Sequence, residues 1–503
     1  MAYDFTRRHF FFGSLLAGAI PSGGFGSTAS LVRLGYKSPN EKLNIASIGA
    51  GGQAASDLTN CASENIVALC DVDEKQAARK FSQYDKAPKY KDFRKMLDKE
   101  KSIDAVIVTI PDFMHATAAT WCMERGKHVY VQKPLTRTIW EARKLMEAAN
   151  KYKVASQMGN QGYSNEGTRQ VAEIIWSGEI GNVTEVHAWT DRPMWPQGLT
   201  QIPPPAKPPD TLDWDLWLGS APARPWTDGG PGYPTENGYF YQPFNWRGFY
   251  DFGCGALGDM ACHILGAPNL ALKLGTPTSV ECIHKEGVSD FMFPKKSTLR
   301  FDFPARGNMP PLKLFWYDAL TVNPEIAGVP KGEYLVDLPS GGARRGGRGG
   351  GRGAATPPPP SGFVGRVFNF ADFDLVRQDP NPNIPKPDGS LFIGDKGMLT
   401  TGTYGENTRL IPVDKMKDYE FPPKLLTRSP GHHQDWIRAA KGGDPACSNF
   451  NIAAPFVEWM LLGVIALRVE GKIEYDAAKM KITNNADANK YLKPAFRKGW
   501  QLV

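Results

Sequence analysis

Cysteine is scarce and unpatterned in this 503-residue chain: seven residues, an odd number, with no Cys-x-x-Cys among them. That argues against a zinc or other metal site and against a disulfide framework. Cys61, Cys70 and Cys122 fall in apolar segments, where cysteine serves as a small hydrophobe. A long hydrophobic run is also missing. The apolar stretch 13–20 falls short of the ~20 residues that a membrane span needs, so stable membrane insertion is not expected. The body of the chain lacks an excess of charge of one sign. The net +7 includes Arg7 and Arg8 near the start and Arg344, Arg345, Arg348 and Arg352 in one Gly-rich tract. Without those six cations the body is close to neutral, which gives no reason to expect a nucleic-acid partner. The tract, 340–361, has no aromatic residues among its arginines, so it reads as a disordered surface insertion and not as an RNA-binding element.

What is present begins at residue 43. A short apolar run is followed by Gly49-x-Gly51-x-x-Ala54, then helix-compatible residues, and a second apolar run ends at Asp71. That order predicts a strand–turn–helix that binds a dinucleotide. Gly49 permits the tight turn, Gly51 lets backbone approach a pyrophosphate, and Ala54 lets helix pack on strand. The helix start, with Gln53 in its first turn, offers N–H groups to phosphate. Asp71 would accept the ribose hydroxyls and repel a 2′-phosphate, which favours NAD, with NADP as the alternative.

From 43 to about 160, strands (66–70, 105–110, 128–131, 154–157) alternate with helices (74–84, 115–125, 138–152), implying a parallel sheet covered on both faces. After a helix at 166–178 the strands lengthen and alternate (183–192, 279–285, 297–303, 313–317), implying a mostly antiparallel, one-sided sheet. The expected fold is therefore α/β: a doubly wound parallel sheet over 41–160, then an α+β domain over 161–503 with a large, open, mostly antiparallel sheet. The Pro- and Trp-rich stretch 193–250 reads as loops over a site. Helices are expected at 432–440, opened by His432 and His433, and at 454–468.

Three further signals carry chemistry. Thr109-Ile110-Pro111-Asp112 ends a strand at the sheet edge where such folds bind ligands, with His115 on the next helix. Gln132-Lys133-Pro134 ends the following strand and would project a lysine beside a nicotinamide. Asp259 and His263 stand four apart, on one helix face. In the order found, these motifs resemble the glucose–fructose oxidoreductase / inositol dehydrogenase / MocA family, with Gln132 where that family usually has glutamate. The resemblance implies a Rossmann domain, bound nicotinamide cofactor and hydride chemistry. It implies His263 as base, Lys133 as the cation beside a developing alkoxide, and Asp259 as a partner of substrate hydroxyls or of the local charge. Gln132, Asn160 and Gln161 would face the cofactor. Trp246 and Arg247 would face a sugar or glycoside substrate, while Trp214 and Trp217 suit either stacking on sugar or plain packing.

The first residues look like a twin-arginine export signal: Arg7-Arg8 precede Phe10-Phe11-Phe12 and the short apolar stretch, with small residues Ser27-Thr28-Ala29 for cleavage. The leader would span 1–40, the partner would be the twin-arginine machinery and the destination the periplasm. A cofactor loaded before export would stay bound and return its hydride within the same site. Three functions are compatible with these residues: a sugar, polyol or glycoside oxidoreductase; a glycoside hydrolase or lyase that oxidises C3 transiently; and a non-catalytic sugar-binding protein. The open sheet face needs a cover, and the family resemblance implies that a homodimer or homotetramer supplies it.

Overall fold

In the computed structural model, the described residues are 41–230, 238–320, 323–331, 333, 335–336 and 388–502. The expected leader and the Gly/Arg/Pro-rich tract lie outside them.

The first sheet holds six parallel strands: β1 (Asn44–Ile48), β2 (Asn65–Cys70), β3 (Lys89–Tyr90), β4 (Ala105–Val108), β5 (His128–Val131) and β6 (Ser156–Met158). Their order is β3-β2-β1-β4-β5-β6. Helices α1 (Gly52–Asn60), α2 (Glu74–Gln83), α3 (Phe93–Lys99), α4 (Asp112–Glu124) and α5 (Ile139–Tyr152) connect them. A central strand such as β4 is Ala-Val-Ile-Val, buried along its whole length, because helices cover both of its faces. The helix starts follow local chemistry. Asp73 and Asp92 accept the N–H groups of Lys75 and Arg94, and Glu141 reaches back to the Thr138 N–H at 3.0 Å. The strand order reverses between β1 and β4, which opens a crevice at their carboxyl ends.

The second half supplies α6 (Glu166–Trp176), β7 (Val183–Trp189), α7 (Trp214–Leu218), α8 (Gly255–Ile264), α9 (Gly266–Ala271), β8 (Ser279–Glu286), β9 (Lys296–Phe303) and β10 (Leu312–Tyr317). After the undescribed tract come β11 (Gly389–Gly394), β12 (Met398–Gly402), β13 (Arg409–Ile411), α10 (His432–Ala440), α11 (Phe450–Ala466), β14 (Lys472–Asp476) and β15 (Lys481–Ile482). The nine strands form one mixed sheet, β13-β12-β11-β7-β10-β9-β8-β14-β15, antiparallel throughout except where β7 meets β10. One face is apolar. On β9, Leu299, Phe301 and Phe303 are buried beneath α11, whose Trp459 meets Phe301 and Phe303 edge-on at 5.5 and 5.3 Å. The other face mixes charge with rings: His187 stacks on Phe315 at 5.1 Å, and Arg300 pairs with Glu281.

Helix α11 joins the two halves. Glu458 pairs with Arg143 of α5, and Met460 touches Cys262 of α8, so α8 is held against the first sheet's crevice. Late in the chain, α10 crosses back to the first sheet. Its Trp436, Ile437 and Ala440 bury among Leu43, Ile45, Leu69, Ile107 and Tyr130. The parallel sheet therefore takes part of its covering from beyond residue 160. Within 193–250 the described residues are irregular apart from α7 and a short turn of 3₁₀ helix at Asn245–Gly248.

Candidate active site

The glycine turn has the geometry its residues predict. Gly49 adopts φ +94°, and a Cβ there would stand 2.1 Å from the Thr109 carbonyl oxygen; at Gly51 it would stand 2.5 Å from that of Gln76. Only glycine fits such approaches. Ala54 is fully buried, and no side chain caps the start of α1. At the end of β2, Asp71 accepts the Ala50 N–H at 2.9 Å and the Asp73 N–H at 3.0 Å. Burial pushes its carboxyl above the ordinary range, against the opposing pull of those N–H groups. An uncapped helix start, a turn without Cβ atoms at Gly49 and Gly51 and a carboxylate at the next strand end fit a dinucleotide: Gly49, Gly51 and the first turn of α1 for the pyrophosphate, Asp71 for a ribose.

Across the crevice, Lys133 follows β5 and Asp259 lies on α8. The Lys133 ammonium donates to the Asp259 carboxylate (Nζ–Oδ1 3.0 Å) and to its backbone carbonyl at 2.6 Å. Arg247 donates to the same Oδ1 at 3.0 Å, and Arg192 approaches Oδ2 at 3.9 Å. Burial alone would raise the Asp259 carboxyl, but Lys133, Arg247 and Arg192 overrule it and hold it well below the usual range. Lys133, Arg247 and Arg192 thus converge on one carboxylate, while Arg192 is also paired with Asp191 at 2.8 Å. Arg247 is pinned between the rings of Phe244 (4.2 Å) and Trp246 (4.3 Å), while the Trp246 indole N–H is spent on the Pro243 carbonyl at 3.0 Å.

His263 lies one turn beyond Asp259, almost fully buried, with its ring against Tyr404 at 4.7 Å. Its Nδ1 has no hydrogen-bond partner among the described residues. Burial first and the Lys133 charge second push its pKa well below 6.5, so the imidazole is neutral at physiological pH. Asp112, which opens α4, is buried in the same neighbourhood. Burial raises its carboxyl to about 8; Arg247 and Lys133 pull it down and Asp259 pushes it up.

Other expected site residues serve the frame around this cluster. His115 is fully buried with Nδ1 2.8 Å from the Pro134 carbonyl oxygen and Nε2 2.7 Å from that of Ile110. Burial lowers its pKa to about 4, so the neutral ring bridges two strand ends and donates to one of them. Pro111 caps α4. Thr109, Gln132 and Gln53 all turn their side chains to Asp57, at 2.8, 3.0 and 3.2 Å. Asn160 is fully buried and accepts from Ser448 Oγ at 2.6 Å, and Gln161 opens the next 3₁₀ turn. Trp214 and Trp217 stack on each other at 4.8 Å and pack on Tyr241, Phe113 and Phe252, which makes them core. His432 and His433 lie behind the site: His432 faces Ser164 (2.6 Å) and the Met158 carbonyl (3.0 Å), and His433 faces Asp57.

Sequence reasoning assigned no role to Asp57, Asp112, Arg192 or Tyr404. Asp112 had a signal, since it directly follows the strand-end Thr-Ile-Pro. Asp57 reads as an ordinary solvated helix position, and Arg192 and Tyr404 lie far from any motif.

Residues 43–160 match the family model described as an oxidoreductase family with NAD-binding Rossmann fold. The chain is 31% identical over 150 residues to inositol 2-dehydrogenase of Salmonella typhimurium, a match covering 29% of this chain and 44% of that protein. It is 29% identical over 175 residues to a glycosyl hydrolase family 109 protein of Solibacter usitatus, covering 32% and 39% respectively. These matches thus span less than half of either relative. Beyond the Rossmann domain the likeness is one of fold. The WlbA dehydrogenase of Bordetella pertussis, solved with NADH and UDP-GlcNAcA, superposes with a TM-score of 0.53 at 13% identity, covering 87% of this chain and 99% of that one. Residues 43–160 accordingly form an NAD-binding Rossmann domain similar to that of the glucose–fructose oxidoreductase / inositol dehydrogenase / MocA family.

Proposed function

We propose that the protein oxidises a secondary hydroxyl of a sugar, polyol or glycoside by hydride transfer to NAD. The observation that carries this reading is the Lys133–Asp259 pair, 3.0 Å apart, with the buried His263 one turn along the same helix. Removing hydride from a carbon requires that the proton on its oxygen leave too. His263 is neutral, and its imidazole is the group to take that proton. Lys133 offsets the negative charge that grows on the substrate oxygen. Asp259 keeps Lys133 in place, and Arg247 and Arg192 keep Asp259 ionised. NAD, when bound, supplies the hydride acceptor.

The inositol dehydrogenase relative supports a polyol or sugar as substrate. The similarity to a family 109 glycosyl hydrolase supports a second reading, in which oxidation at C3 of a glycoside acidifies the C2 proton and the aglycone is then eliminated. Arg7-Arg8 supports export with the cofactor already bound. The charged and aromatic outer face of the nine-stranded sheet supports pairing with a second copy of the chain.

A panel of sugars and glycosides, with product analysis, tests both readings. Oxidised sugar with reduced nicotinamide held in the protein, or with a second substrate reduced, is expected. Glycoside cleavage without net reduction moves the assignment to the second reading. A protein that neither holds nor binds nicotinamide, and turns over nothing, contradicts both.

A further inference from the structure

Asp57 is the most heavily solicited carboxylate of the first sheet's helices, and neither the glycine turn nor the hydride site uses it directly. It sits inside α1, fully buried, where an apolar residue would pack without a desolvation cost. Both of its oxygens are saturated. Oδ1 accepts from Gln53 Nε2 (3.2 Å), Gln132 Nε2 (3.2 Å) and His433 Nε2 (3.1 Å). Oδ2 accepts from Thr109 Oγ1 (2.8 Å) and Gln132 Nε2 (3.0 Å). The donors come from α1, from the ends of β4 and β5, and from α10. Every neighbour offers a hydrogen, so the group they require is an acceptor at both oxygens.

Its effect on the site runs through Gln132. That side chain donates to Asp57 through Nε2 and accepts the backbone N–H of Lys133 through Oε1 at 3.2 Å. Its amide also lies flat on Gly159, where a Cβ would stand 2.7 Å from Cδ. The opposite amide orientation would aim Oε1 at the carboxylate and Nε2 at the Lys133 N–H, so both contacts would become repulsive. Asp57 thus selects one orientation of Gln132, and that orientation fixes the backbone from which Lys133 reaches Asp259.

We propose that Asp57 is a positioning residue for Lys133, acting through Gln132. The part concerning turnover rests on the function proposed above. On this account the charge and the amide are exchangeable between the two positions. In Asp57→Asn/Gln132→Glu, the asparagine amide donates to the new carboxylate, which still accepts the Lys133 N–H. In Gln132→Glu alone, two carboxylates face each other at about 3 Å and repel.

The test is this charge exchange, made in the full-length protein as purified and read in two ways. The first readout is the rate at which formaldehyde and cyanoborohydride methylate Lys133, followed by peptide mass spectrometry; it needs no substrate. Each single variant should raise that rate several-fold, and the double variant should return it to near the parent value. The second is turnover. Asp57→Asn should lower kcat about tenfold with KM little changed, as expected for one lost hydrogen bond to a charged group, and the exchange should recover most of the loss. Unchanged Lys133 labelling in Asp57→Asn, or a double variant as impaired as the two singles combined, overturns the proposal. If labelling follows the exchange but no sugar is turned over even by the parent, the functional reading fails and the positioning role stands. If turnover needs Lys133 and His263 but ignores Asp57, the positioning role fails alone.

Discussion

Replacing Asp259 by asparagine removes the one carboxylate that three cations share, and the structure sets the size of the effect. Lys133 and Arg247 each lose a 3.0 Å charge-assisted hydrogen bond, and Arg192 loses its nearest approach to the site. None of them is stranded completely. Lys133 keeps the Asp259 carbonyl, Arg247 keeps that of Phe244 at 3.1 Å, and Arg192 keeps Asp191 at 2.8 Å. Removing one partner of a buried pair costs ~3–5 kcal/mol, and the retained contacts put this case at the lower end, ~3 kcal/mol. For a domain of more than 300 residues, at about 2.1 cal/mol/K of unfolding entropy per residue, that corresponds to a fall in Tm of about 3–5 °C. The pH dependence has a definite sign. The Asp259 carboxyl is depressed in the folded state relative to 3.8, so its contribution is complete above the unfolded value and fades as pH falls through the folded one. Urea unfolding of parent and Asp259→Asn should therefore show a constant gap above about pH 5, narrowing on acidification below the unfolded carboxylate range. Equal stability at neutral pH, or a gap that widens in acid, would refute the ion-pair reasoning.

Three other outcomes are expected. His263→Ala should lower kcat by about 10²–10⁴ while folding and nucleotide content persist, because it removes only a proton acceptor; since burial holds the parent imidazole far below 6.5, the parent kcat/KM should show no loss from this group between pH 8 and 6.5. Asp112→Asn mimics the protonated acid that burial favours up to about 8, so relative to the parent it should gain stability as pH rises from 4 towards 8, measured by thermal unfolding across that range. Gly49→Ala brings a Cβ to 2.1 Å from a carbonyl oxygen at φ +94°, and should cost at least ~1–3 kcal/mol and deplete bound nucleotide, read by unfolding and by nucleotide release.

Local pattern made the first domain legible. The Ala-Val-Ile-Val strand, the glycine turn and the acidic end of β2 each state their structure within a few residues, and the spacing of Asp259 and His263 shows that they share a helix face. What escaped depends on contacts distant in sequence. Asp57 follows Ala-Ala-Ser in a polar helix and shows its burial only when α10 and two strand ends close over it. That α10 belongs to the first sheet cannot be read from 432–440, because its apolar stripe fits any apolar surface. Strands β11 to β13 follow the low-complexity tract and are short, with no periodicity long enough to mark them. The tryptophans at 214 and 217 suited sugar stacking as well as packing until the structure placed Trp217 on Phe113 and Phe252 and Trp214 on Trp217 and Tyr241.

The proposed chemistry moves hydride from the carbon bearing a sugar hydroxyl to a nicotinamide while His263 takes the hydroxyl proton beside Lys133. The direct measurement is a single-turnover experiment with the purified protein, its bound nucleotide first identified by denaturation and then restored to the oxidised form. Mixing with a reactive sugar should raise the absorbance and fluorescence of reduced nicotinamide within the protein, one equivalent per site. A sugar deuterated at the oxidised carbon should slow that rise, and His263→Ala should abolish it with the nucleotide still in place. A nucleotide that stays oxidised with every sugar and polyol offered, or a signal that survives the loss of both His263 and Lys133, would contradict the account.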